Sequence, residues 1–318
     1  MPHRFRLTLI SLLLAAAAAC QGASGSVGTA LPPTQAPGVL DLPEVSWEVV
    51  GEDLDAVLAT PDLAVGVQRF ALVLSDDRGL IRLPVVQFTA YRYPEGFSGA
   101  AGRSGPEETA IATFYEFPLG TRGIYVAELE FDSVGDWSVE ASVPRPDGST
   151  SSVEVRFPVK ERTRSVAVGE RPPASRNRTL ADVPDLADLT TGSHRDPQLY
   201  GITVAEALEN GRPFVVVFAS PAFCTNAVCG PQVEVASELR EVYGDRVTFI
   251  HVDLYENPRE IQGDLGLAVN TPLLDEWGLV SQEWTFVVGG DGRVSARFEN
   301  FVAAAELEEA IQRVLQDV

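Results

Sequence analysis

Five consecutive apolar residues, Phe214-Val-Val-Val-Phe218, constrain the fold of this 318-residue chain more than any other feature. The run is far shorter than the roughly 20 residues a membrane-spanning helix needs. Its valines favour a strand. A strand with no polar alternation is buried on both faces, so helices must cover it from two sides. The flanking sequence supplies them. Thr203–Asn210 reads as a short helix with Gly211 just past its end, a favoured stop. Pro231–Tyr243 reads as a helix ending before Gly244, Val247–Leu254 as a second strand and Thr271–Trp277 as a short helix. Trp284–Val288 and Arg293–Phe298 are strands joined by Gly289-Gly-Asp-Gly292, a hairpin signal. Ala303–Gln316 is an amphipathic closing helix. Residues 198–318 are therefore expected to form an α/β domain.

The earlier part of the chain has a different period. Between residues 41 and 160, short segments of partial alternation are separated by turn residues. Strands are expected at Val65–Leu74, Leu80–Phe88, Thr109–Phe117, Gly123–Phe131, Trp137–Val143 and Ser152–Val159. Strands at this spacing predict an all-β sandwich. The stretch Gly123-Ile-Tyr-Val-Ala-Glu-Leu-Glu-Phe131, followed by Gly135-Asp-Trp-Ser-Val-Glu-Ala141, resembles the late strands of immunoglobulin-like envelope modules. Trp137 reads as a core plug. Phe97–Glu108, rich in Gly and Ser, reads as a long loop. Residues 161–197 hold prolines and six arginines without periodicity, and read as a solvated linker.

The N-terminus points to a compartment. His3, Arg4 and Arg6 precede an apolar run from Leu7 to Ala19, and Cys20 follows. This pattern marks a secretory signal. Ala17-Ala18-Ala19-Cys20 resembles the lipobox of bacterial lipoproteins, although that family usually has leucine where Ala17 stands. The resemblance implies that residues 1–20 are a signal, that Cys20 carries lipid, and that the protein is held at the cell envelope, outside the cytoplasm. Residues 21–40 begin with small polar residues and read as a flexible tether.

The formal net charge is −21, which excludes nucleic acid as a partner because phosphates would be repelled. It also argues against electrostatic attachment to anionic lipid.

With Cys20 assigned to lipid, Cys224 and Cys229 remain, and outside the cytoplasm two such cysteines pair or act as a redox couple. In a regular helix, residues five apart are separated by about 7.5 Å along the axis and roughly 140° around it. A disulfide wants Cα atoms within about 7 Å, so a bridge needs a loop or a distorted first turn. Pro231 favours the first turn of a helix, which places the helix start near Cys229 and Cys224 on the loop before it. The helix dipole would then favour a thiolate at Cys229, and at Cys224 if it lies close enough.

Phe214-Val-Val-Val-Phe-Ala-Ser-Pro221-Ala-Phe223-Cys224 resembles the strand of the thioredoxin superfamily that runs through a proline into the reactive cysteine. Asp291-Gly-Arg-Val294 resembles that family's later hairpin. The resemblance covers about the last 120 residues. It implies a thioredoxin-like domain with Cys224 and Cys229 as its working pair and Pro221, Phe223 and Pro231 beside them. Two departures stand out. Four residues separate the cysteines where the family has two, and Gly230-Pro231 follows the second cysteine instead of lying between the pair. One alignment makes Cys224 the nucleophile. The other makes it Cys229, with Gln232 in the second cysteine's place. The family's cis-proline before the hairpin is also missing, and Glu283 or Trp284 stands there. A carboxylate near the pair disfavours a thiolate.

Three functions follow as expectations. The first is thiol-disulfide exchange with the thiols or disulfides of envelope proteins, without a cofactor. The second is a non-catalytic binding module whose disulfide staples a loop. The third, and weakest, is copper handling, through a resemblance to the copper-delivering cytochrome-oxidase assembly proteins, which join a cysteine pair to a histidine. Only His194, in the linker, and His251, in mid-strand, lie beyond the signal, and no metal-ligand cluster is evident.

Overall fold

The computed structural model describes residues 40, 42–43, 45–99, 102–117, 120, 122–224 and 228–316. The signal-like segment, Cys20 and the tether up to residue 39 lie outside the described residues.

The first unit is one antiparallel sheet. Its strands are β1 (Glu48–Gly51), β2 (Asp55–Leu58), β3 (Gly66–Asp76), β4 (Gly79–Leu80), β5 (Val85–Tyr93), β6 (Ser104–Glu116), β7 (Gly123–Phe131), β8 (Gly135–Pro144) and β9 (Thr150–Val159). The order is β1-β9-β8-β5-β6-β7-β3-β2, with β4 paired to β3. The end strands β1 and β2 return to each other, so the sheet is nearly closed. Alternation drives this. In β9, Val153, Val155, Phe157 and Val159 are buried, and the residues between them are less so. Phe70, Phe88, Phe131 and Phe157 meet inside the sheet with ring centroids 5.3–6.4 Å apart. Trp137 is buried against Phe131, and its Nε1 donates to the Ser133 carbonyl at 2.9 Å.

Two sequence expectations change here. The loop expected over Phe97–Glu108 is shorter, because β6 starts at Ser104. Its pairing with β5 jumps from Ala90↔Glu108 to Arg92↔Ser104, and the bulge takes up Gly105 and Pro106. The strand expected over Leu80–Phe88 is broken before Val85, since residues 81–84 leave the ladder at Pro84.

The second unit contains β10 (Phe214–Phe218), β11 (Thr248–Val252), β12 (Trp284–Val288) and β13 (Val294–Glu299), in the order β11-β10-β12-β13. β10 and β11 are parallel, and the other pairs are antiparallel. The helices are α1 (Val204–Asn210), α2 (Cys229–Tyr243), α3 (Pro258–Ile261), α4 (Leu273–Glu276) and α5 (Ala304–Gln316). Val215 and Val217 pack with α2 and α5 on one face. Phe214, Val216 and Phe218 pack with α1, α3 and α4 on the other. The five-residue apolar run is thus covered on both sides. Thr203 caps α1 in a reciprocal box with Glu206, and Gly211 ends it at φ 65°.

Residues 161–197 have little regular structure, as their composition implies, but they do not form a solvated linker. Val166 N donates to the Trp277 carbonyl, Gly169 N to Val294 and Leu180 N to Tyr200, so the segment wraps the second unit. Ser165, Ser175, Asn177, Thr179, Leu189 and Thr190 are buried. Backbone and side-chain hydrogen bonds hold it in place together with a few scattered apolar residues such as Val166, Val183 and Leu189, and that leaves no periodicity to read. No helix among the described residues is long and apolar enough to cross a membrane.

Candidate functional site

The strand β10 ends at Phe218, and a short loop carries the chain to Cys224. The helix α2 opens at Cys229, two residues before Pro231. Cys224 and Cys229 form a disulfide with Cα atoms 5.9 Å apart. The two residues differ in burial: Cys224, on the loop, is half-buried, whereas Cys229 is 0% exposed. Cys229 Sγ lies 3.6 Å from the Gln282 carbonyl oxygen, just before β12. Its place at the first residue of a 15-residue helix puts it at the positive end of the helix dipole.

The flanking residues singled out in the sequence occupy distinct places. Pro221 lies on the cysteine loop against Gly192, where an added Cβ would be 3.2 Å from Pro221 Cγ. The ring of Phe223 meets that of Tyr255 edge-on at 6.0 Å. Gln232, one turn beyond Cys229, is buried, and its Oε1 accepts from Val302 N at 3.0 Å. Trp284 faces away from the disulfide. It pairs across the sheet with Phe218, stacks on Phe286 at 5.6 Å, and lies under the Arg297 guanidinium. Glu283 is 0% exposed, and neither carboxylate oxygen has a hydrogen-bond partner among the described residues. Burial pushes its carboxyl up to about 8, with the Arg69 charge opposing.

A second buried polar group lies beneath the loop, and it contains the mid-strand histidine expected from the sequence. His251 on β11 is buried, with Nε2 3.0 Å from the Ala219 carbonyl and Nδ1 2.6 Å from the Tyr200 hydroxyl. A carbonyl only accepts, so Nε2 carries the hydrogen and Nδ1 accepts from Tyr200. Burial pushes His251 down to about 4. Both ring nitrogens are therefore occupied, whereas His194 is exposed on the wrapping segment. Asp253 is buried next to this group and accepts hydrogen bonds from Thr191 N and Thr191 Oγ1. No group of three or more His, Cys, Asp or Glu side chains among the described residues is placed to hold a metal.

No protein-family model matches the chain. No curated protein matches it either. Among solved structures, MtrC from Shewanella baltica OS185 aligns at 17% identity and a TM-score of 0.22, over 40% of this chain and 24% of its own. The soluble domain of PmoD from Methylocystis sp. (Rockwell) aligns at 14% identity and a TM-score of 0.20, over 35% of this chain and 94% of its own. This chain thus spans about a quarter of the length of MtrC. Likenesses this slight assign nothing, and the site has to be read from its own chemistry.

That chemistry is one of unequal sulfurs. Cys224 is the less buried of the two cysteines. The sulfur that would leave is the one at the helix N-terminus, where a negative charge is best tolerated.

Proposed function

We propose that this chain is a thioredoxin-like lipoprotein of the cell envelope that exchanges thiols and disulfides through Cys224 and Cys229, with Cys224 as the sulfur attacked. The observation that carries the reading is the asymmetry of the pair: a half-buried Cys224 on a loop, bonded to a wholly buried Cys229 at the start of α2. A partner thiolate attacks Cys224 Sγ, the Cys224–Cys229 bond breaks, and Cys229 leaves as a thiolate. A second partner thiol, once deprotonated, displaces Cys224, so the partner is oxidised by two electrons and this chain is reduced by two. The reverse sequence oxidises this chain.

The strand order β11-β10-β12-β13, with the cysteine pair between β10 and α2, supports the thioredoxin-like reading. The antiparallel first unit with its Trp137 plug supports an immunoglobulin-like module. Ala17-Ala18-Ala19-Cys20 supports lipid anchoring outside the cytoplasm. The partners would be envelope protein thiols or disulfides.

The test is trapping. Cys229→Ser, incubated with a disulfide-bonded peptide, should accumulate a mixed disulfide through Cys224, and Cys224→Ser should trap far less. Equal trapping by both variants, or none by either, would overturn the assignment.

One observation favours a second reading. Glu283, with its unpartnered buried carboxyl, directly follows Gln282, whose carbonyl lies 3.6 Å from Cys229 Sγ, and a carboxylate beside the pair disfavours a thiolate. In that reading the disulfide only staples the loop, and the first unit recruits a partner. Loss of stability on reduction, without any exchange, would identify it.

A further inference from the structure

Besides the disulfide to α2, the wrapping segment holds the loop that bears Cys224. Thr191 N and Thr191 Oγ1 both donate to Asp253 Oδ2, at 2.7 and 2.8 Å. The same Thr191 oxygen accepts from Ala222 N at 3.2 Å and lies 3.1 Å from Ser220 Oγ. Gly192 N donates to Thr190 Oγ1 at 3.0 Å, which turns Gly192 onto Pro221. The other carboxylate oxygen of Asp253 accepts from Tyr255 N at 3.2 Å, and the Tyr255 ring meets Phe223. Asp253 therefore reaches the Ser220–Cys224 loop from two sides. It is 4% exposed, and its hydrogen-bond partners are all neutral donors.

We propose that Asp253, acting through Thr191, is the positioning residue for Cys224, holding its loop closed while ionised and releasing it when protonated. The proposal rests on the exchange reading given above. A carboxylate can accept from Thr191 N, Thr191 Oγ1 and Tyr255 N together. Protonation turns one of its oxygens into a donor and forfeits part of that set. The Thr191 hydroxyl is then free to turn, and Ala222 N loses its fixed acceptor.

Burial pushes the Asp253 carboxyl up to about 6, with the hydrogen bonds from Thr191 opposing. The groups that face it are Tyr200 and Tyr255, whose phenols burial pushes up, and His251 on β11, pushed down to about 4. Arg178, Asp188 and Glu256 border the same small cavity, and Arg195 Nε donates to the Gly192 carbonyl. Among Asp253, His251 and the two tyrosines, Asp253 is the group that changes charge near pH 6.

The experiment uses the full chain as wild type, Asp253→Asn and Thr191→Val. Reduction of the disulfide by tris(2-carboxyethyl)phosphine is followed by alkylation and mass spectrometry, and amide hydrogen exchange is read at Ala222. At about pH 8, Asp253→Asn should be reduced about tenfold faster than wild type, the effect of one lost hydrogen bond. The ratio should fall towards one by about pH 5, where the wild-type carboxyl is protonated as well. Thr191→Val should be faster than wild type at about pH 8 and should lose protection at Ala222 at every pH. It carries the test if Asp253→Asn fails to fold. A ratio that stays constant with pH, or wild-type protection at Ala222 that ignores the passage through about pH 6, overturns the proposal. A disulfide inert in every variant, with Ala222 still losing protection near that pH, keeps the clamp and overturns the exchange reading.

Discussion

Arg297 NH1 donates to Asp62 Oδ2 at 3.1 Å across 235 residues of chain, and so ties β13 to the connection between β2 and β3. The Asp62 side chain is 0% exposed. It also accepts from Arg164 N at 2.9 Å, from Ser165 N at 3.0 Å and from Ser165 Oγ at 2.7 Å. Burial alone would raise its pKa, but the Arg297 charge and these bonds outweigh burial and hold it below the usual carboxylate value. A depressed carboxylate contributes stability above its unfolded pKa, lost as the pH falls through the folded one. Asp62→Ala leaves Arg297 buried without its partner and should cost about 3–5 kcal/mol in urea unfolding at neutral pH. A cost under about 1 kcal/mol, the range of an exposed pair, would contradict the buried geometry.

Arg69 makes the second tie between the units. Its Nε and NH2 donate to the two Glu306 oxygens at 2.6 and 3.0 Å, and it also donates to the Glu299 and Phe301 carbonyls. With both ties intact, calorimetry should record one unfolding transition. Asp62→Ala combined with Arg69→Ala should split it into two. Two transitions in the wild type would mean that the ties do not couple the units.

Glu283 sets an alkaline limit. Its folded pKa, about 8, lies above the unfolded value, so its contribution is complete below the unfolded pKa and lost as the pH rises through about 8. Glu299, also pushed up to about 8 by burial, loses stability over the same window. Glu283→Gln should therefore be more stable than wild type above about pH 8, by a few kcal/mol, and gain little near about pH 4. Thermal melts across that range check this, and a gain independent of pH would contradict it.

His251 works in the opposite range. It stays neutral in the fold, pushed down to about 4, so stability is complete above the unfolded value of about 6.5 and is lost as the pH falls towards 4. Tyr200→Phe removes the hydroxyl that Nδ1 accepts from and should cost about 1–3 kcal/mol at neutral pH, measured in urea. No measurable cost would mean that this hydrogen bond contributes nothing to stability.

Much of this architecture was legible in local signals. Phe214–Phe218 specifies a strand covered on both faces, Gly211 and Gly244 mark helix ends, and the alternation over Gly123–Phe131 coincides with the bounds of β7. Pro231 placed the start of α2 near Cys229, which is how the two cysteines meet from a loop and a first turn. The first part of β6 was hidden because Gly105 and Pro106 are turn residues, and only pairing with β5 draws them into a strand. The wrapping segment and the Asp253–Thr191 contact were hidden for another reason. They join polar atoms 62 residues apart, and such pairs follow neither the helical nor the strand period.

The reduction potential of the Cys224–Cys229 pair, measured by alkylation and mass spectrometry across thiol buffers, decides between exchange and a structural staple. Exchange requires a labile couple, above roughly −250 mV, with both cysteines free once reduced and the fold retained. A potential below about −300 mV, typical of a structural bridge, would contradict exchange and leave the disulfide as a staple.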